Sequence, residues 1–256
     1  MKDLKNSDRW NAEYYKNNSG KQFQGGMEVI NAMQFKEDET VLDVGCGDGR
    51  LTVEIAKRIP NGKVLGIDLS ANMINDAKKS FCDIPNLSFE CIDAIKFDIK
   101  NRFDKAVSFS TFHWINDQFA ALKNMHEALK PGGSLYIKMM TSNKNFILDA
   151  MKNPKWNSML QLTKANFYGQ SPEGIRLLLE RCGFVNIDAH VKKDERVFKD
   201  QKELCDWLMG WVPYATGLDE DKALEFLQDV TSWAKDVPGD LVSVGYSLHV
   251  SAQKSL

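Results

Sequence analysis

From residue 40 onward the chain alternates between short apolar runs and longer stretches whose apolar residues recur every three or four positions. The runs TVLDVG (40–45), KVLGIDL (63–69), LSFECID (87–93), FDKAVSFS (103–110) and SLYIKMM (134–140) predict strands, most of them buried on both faces. Between them RLTVEIAKRI (50–59), NMINDAKKSF (72–81) and QFAALKNMHEAL (118–129) have the spacing of amphipathic helices. Pro60-Asn61-Gly62 stops the first helix and Ser70 is placed to cap the second. Lys130-Pro131-Gly132-Gly133 reads as a chain reversal after the third.

The rest is less regular. SPEGIRLLLERCGF (171–184) opens on Ser171-Pro172 and closes at Gly183, as a capped helix does, and delivers VNIDAHV (185–191) as a strand. KELCDWLMGWVPYA (202–215) and DKALEFLQDVTSWAKD (221–236) are helical in spacing, and SVGYSLHVSAQK (243–254) alternates like a last strand. Ahead of the first strand, FQGGMEVINAM (23–33) is again helical. The pattern predicts the α/β class, a doubly wound, mostly parallel seven-stranded sheet with helical additions. With no repeat or low-complexity linker, a single domain over 1–256 is expected, in sections 1–36 (a helical lid), 37–141 (the core) and 142–256 (the C-terminal half with helical insertions).

Composition narrows the function classes. A 256-residue chain with 43% hydrophobic residues can bury a substantial core, and a net charge of -2 gives no reason to expect nucleic acid or an anionic membrane as partner. No apolar run approaches the ~18 residues of a membrane span, and the start has no signal-like apolar stretch, so a cytoplasmic location is expected. Five cysteines without a C-x-x-C pair read as reduced thiols, and no metal site is expected.

The candidate chemistry starts at VLDVGCGDGR (41–50), where Gly45, Gly47 and Gly49 alternate at the carboxyl end of the first strand. Open α/β sheets bind ligands there, and glycine lets the backbone approach them closely. A dinucleotide fingerprint needs G-x-G-x-x-G, and its pyrophosphate at the helix N-terminus would meet Asp48. S-adenosyl-L-methionine has no phosphate, and its ammonium and sulfonium suit the carboxylates near this loop. The loop therefore favours that methyl donor as co-substrate.

Further motifs follow in order: GIDLS (66–70), CIDA (91–94), FDKAVSFSTFHWI (103–115) and LKPGGSLYI (129–137). With these the chain resembles the class I S-adenosylmethionine-dependent methyltransferases over nearly its whole length, which implies a Rossmann-like fold with 37–141 as the donor-binding core. The resemblance implies that Gly45 and Gly47 line the methionine part of the donor, with Asp43 near its ammonium. It implies that Asp68 takes both ribose hydroxyls, Leu69 and Met73 flank the adenine, Asp93 and Ala94 meet the adenine edge, and Phe109 or Ser110 meets the methionine end. A carboxylate accepts two hydroxyl hydrogen bonds at once, and Asp68 stands about 23 residues past the loop, close to the spacing of ribose-binding acids in related sheets. Simpler roles stay open: Asp43 as a turn cap, Asp68 as a strand-end cap and Asp93 as a solvated loop acid.

The stretch SFSTFHWINDQFAALKNMHEALKPGG (108–133) looks like the subgroup of juvenile hormone acid, trans-aconitate and malonyl-carrier-protein methyltransferases, which esterify carboxylates. NNSGKQ (17–22) resembles the N-x-x-x-Q segment with which that subgroup closes a helix over the donor. Carried over, Gln22 and Trp114 would hold the acceptor carboxylate, and Trp207, Trp211, Pro213 and Tyr214 would wall the pocket. Trp207 and Trp211, four apart, equally suit a core stripe. A carboxylate is ionised at neutral pH and needs no general base. His113 offers the alternative of deprotonating a hydroxyl, thiol or amine. Arg176, Arg181 and Arg196 are the only arginines after 102, which makes no clamp for a polyanion. The expected enzyme methylates an apolar or carrier-linked carboxylic acid, a small-molecule acceptor rather than nucleic acid or membrane, as a monomer or homodimer. A catalytically silent donor-binding or protein-interaction module is the remaining alternative. A Rossmann oxidoreductase fits the glycine spacing poorly, and nucleic-acid methylation would want a basic face.

Overall fold

The computed structural model describes Asp8, Trp10 and residues 12–141, 154–161, 167–237 and 239–256. Residues 1–7, 9 and 11 of the expected lid, and 142–153, 162–166 and 238 of the C-terminal half, lie outside that set. Strands β1 (Thr40–Val44), β2 (Lys63–Asp68), β3 (Leu87–Cys91), β4 (Phe103–Phe109) and β5 (Leu129–Met140) run parallel. β7 (Leu241–Lys254) pairs antiparallel with both β5 and β6 (Phe184–Phe198). The result is a seven-stranded sheet in the order β3-β2-β1-β4-β5-β7-β6.

The apolar runs form central strands because successive side chains enter different cores. Leu42 and Val44 of β1 pack with Leu122 and Met125 of α5 (Gln118–Ala128) and with Ile175 and Leu179 of α7 (Pro172–Arg181). Val41 and Val107 face the other way, onto Ile30 of α2 (Gly20–Ala32) and Ile55 of α3 (Arg50–Arg58). Each fully buried side chain of this size contributes about 1.5–3 kcal/mol. Ser70 caps α4 (Ala71–Ser80) by accepting from the Met73 N–H, as its position predicts.

The structure differs from the sequence pattern in two places. Lys130-Pro131-Gly132-Gly133 is not a reversal: Leu129 already pairs with Phe103, and a register shift before the Lys105–Ser134 pair absorbs the extra residues within β5. A bulge accommodates Pro and Gly inside a strand, and Gly132 takes φ 75° there. β6 runs on to Phe198, well past VNIDAHV, because its pairing with β7 continues to the Phe198–Leu241 pair.

Helices α6 (Pro154–Gln161), α8 (Gln201–Met209), α9 (Val212–Thr216) and α10 (Glu220–Val230) build a separate core around Trp156, Leu208, Trp211 and Phe226. Together with α1 (Ala12–Asn18) and α2 they stand over the β5-β7-β6 end of the sheet. This placement creates the cavity described next.

Candidate functional site

The loop after β1 is held by the end of β2. Gly45 and Cys46 donate their N–H groups to the Ile67 carbonyl at 2.7 and 3.0 Å. Gly45 has φ 75°, and a Cβ there would lie 2.0 Å from Thr111 Cγ2, so only glycine fits beneath the residue that follows β4. Gly47 has φ 54° and open space where a side chain would project. The two oxygens of Asp68 each accept a backbone N–H at 2.9 Å, Oδ2 from Gly47 and Oδ1 from Ser70. Burial pushes the Asp68 carboxyl upward while those two N–H groups pull it down. Asp43 is buried in β1, accepts from Thr52 Oγ1 at 2.7 Å and is pushed up to about 7 by desolvation.

The other donor-side candidates are spread around this loop. Leu69 is 68% exposed whereas Met73 is buried on the inner side of α4. Asp93 accepts from the Ile95 N–H at 3.1 Å and pairs with Lys96 at 3.2 Å, beside the half-buried Ala94. Phe109 turns into the core with Ile30 and Val41, and Ser110, with φ 55°, lines the cavity instead. From the head of the chain, Asp8 accepts from Ser70 Oγ and from the Asn72 N–H at 2.8 Å, next to Asp68. Arg50 pairs with Asp48 at 2.7 Å and reaches Ser19 Oγ, tying the glycine loop to the start of α2.

Gln22, His113 and Trp114, the acceptor-side candidates from the sequence, line one cavity of about 610 Å³. Its roof is aromatic, lined by Trp10, Trp114 and Trp211, with Trp114 6.1 Å from Trp10 and 6.2 Å from Trp211. Pro213 and Tyr214, expected to wall it, are not among its lining residues, and Tyr214 instead backs Trp10 at 4.8 Å and Trp114 at 5.2 Å. Trp207 and Trp211 line the cavity and join the helical core, so both readings of that stripe hold. Trp207 Nε1 donates to Gln22 Oε1 at 2.9 Å. This contact fixes the amide so that its NH₂ is the group left to donate. No hydrogen bond engages the Trp114 indole N–H among the described residues.

His113 is buried, and Met140 donates its N–H to Nδ1 at 3.2 Å. Desolvation drives its pKa down to about 3. The ring is therefore neutral at physiological pH, with its lone pair on Nδ1 already used and its proton on Nε2. Lys21, Lys138 and Arg196 also line the cavity, and sequence reading gave them no role there. A lysine in the middle of the apolar run SLYIKMM was the one available signal.

A doubly wound sheet whose last strand inserts antiparallel, with a glycine loop after β1 and a carboxylate closing β2, defines a class I S-adenosylmethionine-dependent methyltransferase. Residues 41–133 match the family model described as a methyltransferase domain. The trans-aconitate 2-methyltransferase of Deinococcus radiodurans is 32% identical over 197 residues, covering 73% of this chain and 75% of that protein. The juvenile hormone acid O-methyltransferase of Drosophila melanogaster is 28% identical over 219 residues, or 79% of this chain and 73% of that one. A protein of Invertebrate iridescent virus 6 named as a methyltransferase is 32% identical over 150 residues, and the match spans 57% of this chain and 56% of the viral protein. The phosphoethanolamine N-methyltransferase 2 of Haemonchus contortus, solved with S-adenosyl-L-methionine, superposes with a TM-score of 0.64 at 18% identity, over 98% of this chain and 58% of that one, a likeness of fold. The chain belongs to the class I S-adenosylmethionine-dependent methyltransferases, in the subgroup of the juvenile hormone acid and trans-aconitate enzymes.

The residues present fit the donor. The open space beside Gly47 leaves the backbone accessible, and the carboxylates of Asp48 and Asp68 adjoin the loop. Among the described residues no cluster of three His, Cys, Asp or Glu side chains could hold a metal ion, and no helix is long and apolar enough to cross a membrane.

Proposed function

We propose that this methyltransferase O-methylates a carboxylate of a small acid, held between Gln22 and Trp114. The donor supplies a methyl group on sulfonium sulfur, and transfer to a carboxylate oxygen breaks the C–S bond with its electron pair leaving on sulfur. In this reading Gly45, Gly47 and Ser110 shape the methionine end, with Asp43 near its ammonium, and Asp68 takes the ribose hydroxyls. Leu69, Met73, Asp93 and Ala94 border the adenine. Gln22, its amide oriented by Trp207, and the free indole N–H of Trp114 direct the acceptor oxygen without neutralising it. The aromatic roof excludes water, and alignment with desolvation contributes several kcal/mol.

One observation carries the reading: among the described residues the cavity lining offers hydrogen-bond donors, no carboxylate and a histidine, His113, whose Nδ1 is already engaged by the Met140 N–H. A hydroxyl, thiol or amine acceptor would need a proton removed; a carboxylate does not. The test is the pH profile of methyl transfer to an acid found by screening with labelled donor. The kcat is expected to be flat from about pH 6 to 9, and His113→Gln to lower it only modestly. A rate that climbs through about pH 6 to 7 and collapses about a hundredfold in His113→Gln would move the acceptor to a hydroxyl, thiol or amine.

A further inference from the structure

The cavity holds three cations and, among the described residues, no lining carboxylate. Lys21 lies over the Phe198 ring at 5.4 Å. Arg196 lies over the Trp207 ring at 5.3 Å, with Asp194 behind it at 3.3 Å. Lys138 is 7% exposed, and its ammonium makes no hydrogen bond or ion pair among the described residues. That ammonium occupies the space where residue 25 would carry a side chain, 2.0 Å from an ideal Cβ on Gly25, one turn along α2 from Gln22. The strand register puts these residues on one face of the sheet: Lys138 pairs with His249, Asp194 with Gly245 and Arg196 with Ser243, and the long side chains of Lys138 and Arg196 reach into the same cavity.

The other titratable groups on this face are already committed. Glu28 of α2 pairs with Lys192 at 2.5 Å. His249 is pushed down to about 4 by burial and by Lys138, and its Nε2 meets Ser247 Oγ at 3.0 Å. A buried ammonium without a partner is costly, and burial lowers the Lys138 pKa while Asp194 opposes the shift. An anionic ligand group would complete the site.

Building on the carboxylate reading, we propose that Lys138 and Arg196 form an anion subsite for a second, unreacted acidic group, so that the acceptor is a dianionic acid such as a dicarboxylate. The reacting carboxylate cannot be the charge that these cations hold throughout. It becomes a neutral ester on transfer, and a direct ion pair would blunt its oxygen as a nucleophile. A second carboxylate keeps its charge through the reaction and positions the first. The few arginines after residue 102 suggested no clamp for a polyanion; the fold assembles one from a lysine of β5 and an arginine of β6.

The test is calorimetry on the protein loaded with S-adenosylhomocysteine. It is titrated with linear α,ω-dicarboxylic acids from succinic to dodecanedioic acid and with the monocarboxylic acids of the same lengths. At the best length the dicarboxylate should bind about tenfold or more tighter than its monocarboxylic partner. Lys138→Met should erase that advantage while leaving the monocarboxylate within about twofold, and Lys138→Arg should retain most of it. Equal affinity of the two series at every length overturns the proposal. So does a Lys138→Met variant that loses both series alike, since that places the lysine at the reacting carboxyl. Methyl transfer is read separately: tight, Lys138-dependent dicarboxylate binding without esterification counts against the carboxylate reading and leaves the anion subsite standing.

Discussion

The glycine loop and the aromatic cavity adjoin at Ser110 and Thr111, yet they are built by opposite means. Around the loop the parts are backbone N–H groups, left-handed glycines and the carboxylates Asp43, Asp48 and Asp68. Around the cavity the parts are side chains on long stems or large rings, and the charged ones are Lys21, Lys138 and Arg196. In the proposed function, two neighbouring sites of opposite sign would sort their ligands, a cationic donor to one side and an anionic acceptor to the other. The difference also sets their tolerance to change. A rigid backbone cradle fails when one atom is added, whereas a wall of side chains loses function in smaller steps.

The largest effect is expected from adding that atom. Gly45→Ala combines left-handed strain of about 1–2 kcal/mol with overpacking against Thr111 of about 1–3 kcal/mol. Thermal melting should show a drop of several degrees together with loss of donor binding; an unchanged melting temperature would mean the loop is not the rigid element described. Next comes Asp68→Ala. Loss of a charge-assisted pair of acceptors should weaken donor affinity about tenfold to a hundredfold, with acid binding in the cavity untouched, as calorimetry on a folded variant can read.

Asp43 and His113 sharpen the comparison through pH. Asp43 holds its proton to about 7 in the fold, against 3.8 for an ordinary aspartate, so the folded state keeps a proton that the unfolded chain has released. Its contribution to stability therefore falls as pH rises from about 4 through 7. His113, held near 3 against 6.5, has the opposite sign: stability falls as pH drops through that window. Asp43→Asn keeps an acceptor for Thr52 and removes the first slope, so its stability relative to wild type should be greater at about pH 8 than at about pH 5 in calorimetric melts. Equal differences at both pH values would show that Asp43 titrates normally in the fold. The smallest effect belongs to Trp207→Phe. It frees the Gln22 amide, and kcat/KM for the acceptor should fall about threefold to tenfold with donor affinity unchanged. A matching loss of donor affinity would assign the tryptophan to general packing.

The glycine loop and its closure by β2 were legible in the sequence because their contacts are local or nearly so. Gly45, Gly47 and Asp68 sit in two consecutive strand-to-helix turns, and parallel pairing of β1 with β2 in register brings those turns together. Pro131-Gly132 misled because a bulge inside β5 uses the same residues as a turn. Phe109 and Ser110 were inseparable by pattern, since a single residue with φ 55° decides which side chain faces the cavity. The cavity lining was legible only as a set of suspects. Gln22 and Trp207 stand 185 positions apart, and nothing in their spacing predicts the hydrogen bond between them.

By itself the sequence determined the alternation that builds the sheet, the loop at its carboxyl edge and the family of the chain, because period-two and helical patterns and glycine conformations are set within a few residues. Tertiary structure alone decided that His113 has no free lone pair, and that Lys138 and Arg196 share one cavity wall without a carboxylate among the described residues. Protonation and charge pairing depend on burial and on neighbours brought from distant strands, and only the closed fold supplies either.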